Sequence, residues 1–495
     1  MLASPPVVES SSRLDLFRRS PSFGYLFLAT AGSSIGTYLA AIALTVDIYD
    51  RTESGVWVAA LLIADFLPIV LIGLLLGPLV DRLSRRRLMI FSDLARFGVF
   101  AALAALPFAD SAGAVVGLAA VAGIATGFFL PAVYAGLPNL VPNEELTNAN
   151  SLLQTVETLA WMIGPVVGGL MLTVWKPSVP YGVNAVTFLV SAALVARIPE
   201  GKLSSKESLT RGHWRDVADG LRLVVTARPL RTVLVVWNIV LIGAAAVNVA
   251  EIVFARETLE ADNLGFGVLV AASGVGLAFG SYLAAPALGK VGLRRHYVGS
   301  IALMGVGWGG AAISTIWLST IWLAVPFVIG GAAGNGAAII CNRILVQRGA
   351  PDQYRGRALA TIMSSNYAVL GLAMAAAGVL TEVFGARTIW IAAGAIYLFG
   401  SLVALVMTSW LPVTSAEEQE AIDASAESAV AALGLTHGPE PVRVPLPEPV
   451  AQLAAAGNGP APNSLDRIAT LLEEIEARRE LEARRELATR RSARL

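Results

Sequence analysis

Five carboxylates interrupt otherwise apolar stretches of this chain: Asp47, Asp65, Asp93, Glu157 and Glu251, with Arg96 as the one cation among them. Ionisable groups are costly in hydrocarbon, so each is a functional candidate by default. The chemistry open to such a group is to take up a proton on one side of a membrane and release it on the other. Glu157 has the most informative neighbours, because Asn150, Gln154, Glu157 and Trp161 fall at i, i+4, i+7 and i+11, one face of a helix. That face offers polar groups and an aromatic wall to a substrate. Burial penalises a charged carboxylate, which suits a proton carrier. The bland alternative for Glu157 is a structural hydrogen bond between helices. Asp65 is the second proton-coupling candidate, unless it only faces an outer vestibule. Asp93 and Arg96, three residues apart, pair on one helix face. Asp47, beside Asp50 and Arg51, reads as a solvated boundary residue, and Glu251 as a structural partner of Arg256. Asn238, Asn248, Asn335 and Asn342 add polar positions that the sequence does not rank.

Other chemistries lack their residues. The three histidines, His213, His296 and His437, are expected outside the apolar spans, and Cys341 is the single cysteine. A metal centre, a disulfide framework or a membrane-embedded enzyme would need more. No G-x4-G-K-[ST] loop appears, so ATP coupling is not expected, nor is any cofactor.

The elements that must hold these groups follow from composition. The chain of 495 residues is 55% hydrophobic and 15% charged, with mean hydropathy +0.66. A soluble protein carries roughly a quarter charged residues, and several stretches here exceed the ~18 apolar residues of a membrane span. This predicts an all-α membrane protein with twelve transmembrane helices near 22–48, 55–80, 88–107, 113–138, 149–174, 180–197, 231–255, 265–288, 297–316, 320–342, 358–382 and 387–411. The connections alternate in charge. The leader, the 2–3 loop, the middle loop, the 8–9 loop and the 10–11 loop together hold twenty-two Lys and Arg, whereas the opposite side has only Arg51, Lys176, Arg256 and Arg387. The positive-inside rule then places both termini in the cytoplasm. The expected divisions are a leader (1–20), a six-helix bundle (21–198), a middle loop (199–230), a second six-helix bundle (231–411) and a tail (412–495). The tail combines an acidic Ala-rich segment, a Pro/Gly-rich linker and a charged helix with "EARREL" in tandem. It reads as a solvated cytoplasmic appendage.

The two bundles are predicted to be repeats. Pro21 matches Pro229 and Pro78 matches Pro286 at an offset of 208, while Pro142 matches Pro351 at 209. The same offset sets Asn366 of span 11 opposite Glu157 of span 5. Two parallel six-helix halves are the pattern of a transporter that rocks around a midplane site.

The stretch "GPLVDRLSRRR" at 77–87 resembles the loop 2–3 signature of the major facilitator superfamily, with Gly77, Leu79, Asp81, Arg82, Arg85 and Arg86 matching and Ser84 in place of the usual glycine. The resemblance covers roughly residues 15–411. It implies that this loop latches the two halves on the cytoplasmic side. The local Asp93–Arg96 pair is read as an extension of the Asp81 network, with a role in gating. Most of the arginines also anchor topology. Span 5 contains "GPVVGG", in which Gly164, Pro165, Gly168 and Gly169 match the last four positions of the superfamily's exporter motif. Ser151 and Ala160 replace its first two glycines. Small residues there allow tight helix packing, and the motif implies antiport and efflux. Within the superfamily the chain resembles the bacterial branch of enterobactin-type siderophore exporters and macrolide efflux pumps. The expectation is a monomeric, proton-coupled exporter of an amphipathic small molecule in the bacterial inner membrane, in contact with lipid and not with nucleic acid. Uptake of a small metabolite, or a non-transporting sensor on the same scaffold, are the alternatives.

Overall fold

The computed structural model describes residues 13–75, 84–105, 111–142, 145–203, 221–350 and 352–411, with a few positions between 421 and 428. Twelve long helices in this region are apolar enough to cross a membrane. They are α1 (Pro21–Thr52), α2 (Gly55–Leu75), α3 (Arg85–Ala105), α4 (Ala112–Gly136), α5 (Leu146–Val174) and α6 (Ser178–Ala196), then α7 (Arg228–Val253), α8 (Asn263–Val291), α9 (Leu293–Ser314), α10 (Ile321–Gly349), α11 (Asp352–Phe384) and α12 (Ala386–Met407). No strand occurs among the described residues. Such a chain must satisfy its backbone inside hydrocarbon, which helices do within one segment.

Three of the breaks between consecutive helices have a local cause among the described residues. Glu53 turns left-handed (φ 47°) and returns its N–H to Tyr49 O at 2.7 Å, which ends α1. Gly292 (φ 78°) divides α8 from α9, and Gly385 (φ 77°) divides α11 from α12. A side chain at either glycine would be strained. His296 falls within the first turns of α9, so one of the three histidines lies inside a span after all.

Packing repeats from half to half. In the first half α1 packs on α5 and α6, α4 packs on α2 and α3, and α3 packs on α6. In the second half α7 packs on α11 and α12, α10 packs on α8 and α9, and α9 packs on α12. Every pairing thus has its counterpart six helices later. The two extensive contacts between halves, α5 with α8 and α2 with α11, are also counterparts. The chain therefore forms two pseudo-repeats of six helices related by an approximate two-fold axis.

Without a hydrophobic drive between helices in lipid, close approach of small residues does much of the work. Gly123 of α4 lies against the Ala64 and Asp65 carbonyls of α2, and Gly276 and Gly280 of α8 lie against the Ile329 and Ala333 carbonyls of α10. Any Cβ at these glycines would collide with backbone. Aromatic side chains fill the wider gaps in the second half, where Phe254 stacks on Trp390 (4.1 Å) and Trp308 meets Trp390 edge-on (5.4 Å).

Candidate functional site

The packing leaves a cavity of about 350 Å³ between the halves. Tyr38, Ala41, Ile42 and Thr45 of α1, Leu62 of α2, and Trp161 and Pro165 of α5 contribute from the first half. The second half contributes Asn248 and Glu251 of α7, Phe266 and Ser273 of α8, Trp308 of α9, Asn335 of α10, Met374 of α11 and Tyr397 of α12. The walls are thus aromatic and aliphatic, with a few polar groups. A small-molecule site commonly has this make-up.

Of the four substrate-facing positions expected from sequence, Trp161 lines this cavity. Asn150 and Gln154 are exposed further along α5, and Asn150 donates to the Leu146 carbonyl of its own helix (2.9 Å). Asn366 holds its Oδ1 buried without a hydrogen-bond partner, outside the cavity lining. Glu157 is half-buried and accepts from the Tyr134 hydroxyl at 3.0 and 3.2 Å. Asp65 is exposed midway along α2. Both carboxylates lie within electrostatic reach of Tyr38, a cavity wall. The two proton-coupling candidates thus share a neighbour with the site although neither lines it. The structure also ranks the asparagines. Asn248 and Asn335 line the cavity, Asn238 donates to Ser365 (2.9 Å), and Asn342 accepts from Tyr297 (2.8 Å).

Two readings of single acids are corrected. Asp47 is buried, at 6% exposure, and holds Arg51 Nε at 2.8 Å and the Tyr181 hydroxyl at 2.9 Å. It therefore ties α1 to α6 rather than marking a solvated edge. Arg256 does not pair with Glu251. It reaches Asp50 (3.3 Å), the Ala261 carbonyl (3.2 Å) and Asn263. Glu251 is left with its Oε1 buried and without a partner.

One end of the cavity is closed by contacts between the halves. α7 runs on into a π-helical turn, Phe254–Thr258, which carries Arg256 to Asp50 and Glu257 to the Tyr49 hydroxyl (2.8 Å) of α1. Asn263 donates to the Leu172 carbonyl of α5 (2.9 Å), and Glu382 of α11 receives the Ser54 hydroxyl and the Val56 N–H (3.3 Å). The glycine motif of α5 packs at the same end, with two faces. Gly164 and Gly168 sit against Tyr38 and Leu39 of α1, while Pro165 and Gly169 sit against Asn263 and Gly267 of α8. A Cβ at Gly169 would lie 3.2 Å from Gly267 Cα.

A cavity lined by both halves, with cross-half contacts beyond one end of it, fits the geometry of an alternating-access carrier. The sequence profile of the transmembrane secretion effector family matches residues 13–449. The chain belongs to this family of major facilitator transporters. It is similar to the MFS-type transporter YfiS of Bacillus subtilis, 25% identical over 402 residues that cover 79% of this chain and 94% of the relative. It is also similar to macrolide efflux protein A of Streptococcus pyogenes, 23% identical over 380 residues, 74% and 89% of the two chains. A third relative, the multidrug efflux pump Tap of Mycolicibacterium fortuitum, is 28% identical over 411 residues, 79% and 96% of the two chains. Among solved structures, a bacterial homologue of the iron transporter ferroportin in an inward-facing state aligns with TM-score 0.66 and 15% identity, covering 79% of this chain and 99% of the other. At that identity the likeness shows the fold alone.

In this facilitator the Asp93–Arg96 pair lies inside the first half. Arg96 Nη2 holds Asp93 Oδ1 at 2.5 Å, and Ser191 of α6 donates to Asp93 Oδ2 at 2.7 Å. Phe129 and Phe188 face the guanidinium at 4.2 and 4.3 Å. Both members are buried, so the pair cross-links α3, α4 and α6. No contact with the second half is seen for it among the described residues. Gly77, Asp81 and Arg82 of the facilitator loop signature lie outside the described residues. Arg86 donates to the Ala196 carbonyl at the end of α6 (2.5 Å), and Arg87 pairs with Glu200 (2.8 Å). Arg85 and Arg86 both keep a buried Nε without a partner. A guanidinium at a helix C-terminus is favoured by the free carbonyls there, so Arg86 caps α6 within its own half.

Proposed function

We propose that the protein is a proton-coupled exporter that moves amphipathic small molecules, such as macrolides or siderophores, out of the cell by alternating access. It works as a monomer in the bacterial inner membrane with both termini in the cytoplasm. The observation that carries this reading is the cavity built from both halves and sealed at one end by Tyr49–Glu257, Arg256–Asp50 and the α5·α8 glycine contact. Rocking the halves about the axis would break these contacts and open that end while the opposite end closes. The relatives named as macrolide and multidrug efflux proteins support the direction. The basic loops support the orientation, in which the sealed end faces outward.

Glu157 and Asp65 are the groups proposed to carry the proton. Both are ionisable groups of first-half spans, and Glu157 already holds a proton donor, the Tyr134 hydroxyl, at 3.0 Å. The test uses everted vesicles energised to an acid interior, with lumenal pH followed as macrolides and amphipathic amines are added. Substrate-dependent proton loss is expected for the wild type and its absence for Glu157→Gln. Proton loss surviving in Glu157→Gln and vanishing in Asp65→Asn assigns the proton to Asp65. No proton movement with any compound in the wild type overturns the exporter reading.

A further inference from the structure

Glu251 combines three properties that no other residue of the cavity shares. It lines the space between the halves, it is ionisable, and its Oε1 is buried with no hydrogen-bond partner. Among the described residues lining the cavity there is no Lys, Arg or His and no second carboxylate. The cation five residues along the chain, Arg256, is committed to Asp50, Asn263 and the Ala261 carbonyl. A carboxylate in this position lacks the compensation that buried charges normally have.

The surrounding surface fits a cation that carries its own apolar bulk. Tyr38, Trp161, Phe266, Trp308 and Tyr397 supply aromatic faces from five helices. Such faces attract positive charge through the ring quadrupole, and attraction to a carboxylate strengthens in a water-poor site. An anion would meet the opposite field with no basic residue in the lining to receive it.

We infer that Glu251 selects the substrate, and that the cavity takes lipophilic cations, organic ammonium or phosphonium ions bearing aryl or alkyl bulk, in preference to neutral or anionic compounds. The inference rests on the export reading for the identity of the cavity as the substrate site. It narrows the substrate classes considered above, since an amine-bearing amphiphile is favoured over a neutral or anionic one.

The test measures equilibrium binding of radiolabelled tetraphenylphosphonium to the full-length protein purified in detergent. Triphenylphosphine oxide, neutral and bearing three phenyl groups on phosphorus, is the control. Glu251→Gln keeps the side-chain size and removes the charge, and Glu251→Asp keeps the charge. For Glu251→Gln the affinity for tetraphenylphosphonium should fall at least tenfold while binding of the oxide changes by less than threefold. Glu251→Asp should retain more affinity for the cation than Glu251→Gln does. The inference is overturned if Glu251→Gln binds the cation like the wild type, if both ligands weaken equally in a monodisperse variant, or if the wild type binds no cation. The exporter reading fails separately, on the vesicle measurement. Charge-selective binding without proton-linked movement would sink export and leave the role of Glu251 standing.

Discussion

At the scale of single residues, charges buried in this protein divide by whether they are paired. Asp93 and Arg96 neutralise each other, with Ser191 and two phenyl rings completing the shell. Asp47 is held by Arg51 and Tyr181. Such pairs fix helices. Removing Arg96 alone would strand the Asp93 charge, at a cost of about 3–5 kcal/mol. Arg96→Met should therefore lower the thermal unfolding midpoint in detergent markedly, and the double variant Arg96→Met with Asp93→Leu should recover part of the loss. An unchanged midpoint in the single variant would show that the pair is not structural. Glu251 is the opposite case, a carboxylate whose compensation is left to a ligand.

At the scale of elements, α5 does the most with its sequence. Its small residues serve two neighbours at once, with Gly164 and Gly168 on α1 and Gly169 on α8 of the other half. The first contact is within one half and should persist through any rocking motion. The second is between halves and must come apart if the sealed end opens. Gly169→Val or Gly267→Val would push the backbones apart, because each Cβ would meet backbone atoms of the partner helix. Both variants should favour the state in which the sealed end is open. Ser273 lines the cavity from α8, so Ser273→Cys in a Cys341→Ala background reports on this. Cys341 is the chain's single cysteine and is buried. A membrane-impermeant maleimide added from the sealed side should label Cys at 273 slowly in that background and several-fold faster with Gly169→Val. Equal labelling rates would mean that the α5·α8 contact does not govern access.

At the scale of the whole molecule, the two-fold relation explains where the seal lies. Tyr49 and Glu257 are 208 residues apart, the same offset that relates the halves. They are counterpart positions and meet across the axis. The cavity draws its lining from both halves, from Tyr38 to Tyr397. Nothing after Tyr397 contributes to it among the described residues. A chain ending after residue 435, the limit of the first compact unit, should keep substrate-dependent proton movement in everted vesicles within about twofold of the full chain. Loss of transport on that truncation would give the tail a role in the transport cycle.

Much of this protein was legible in local sequence. Span number and length follow from apolar windows and basic loops, because hydrocarbon thickness and the cost of charge act on each segment alone. The repeat was visible in prolines at matched loop ends, and the α5 packing motif in four residues of a single helix. What sequence did not reveal is which polar side chains share a space. Nearness in the chain pairs Glu251 with Arg256, but five residues is off the i+3 and i+4 spacing that joins helical side chains. The π-helical turn instead carries Arg256 to Asp50 in the other half. Local neighbours likewise put Asp47 at a solvated edge, because Tyr181, its partner 134 residues away, leaves no trace in its neighbourhood. Asn150 and Gln154 share a helical stripe with Trp161, yet only Trp161 reaches the cavity. Periodicity fixes which face of a helix a residue occupies. Which depth along that face meets the cavity is set by the neighbouring helices, and so by the tertiary structure alone.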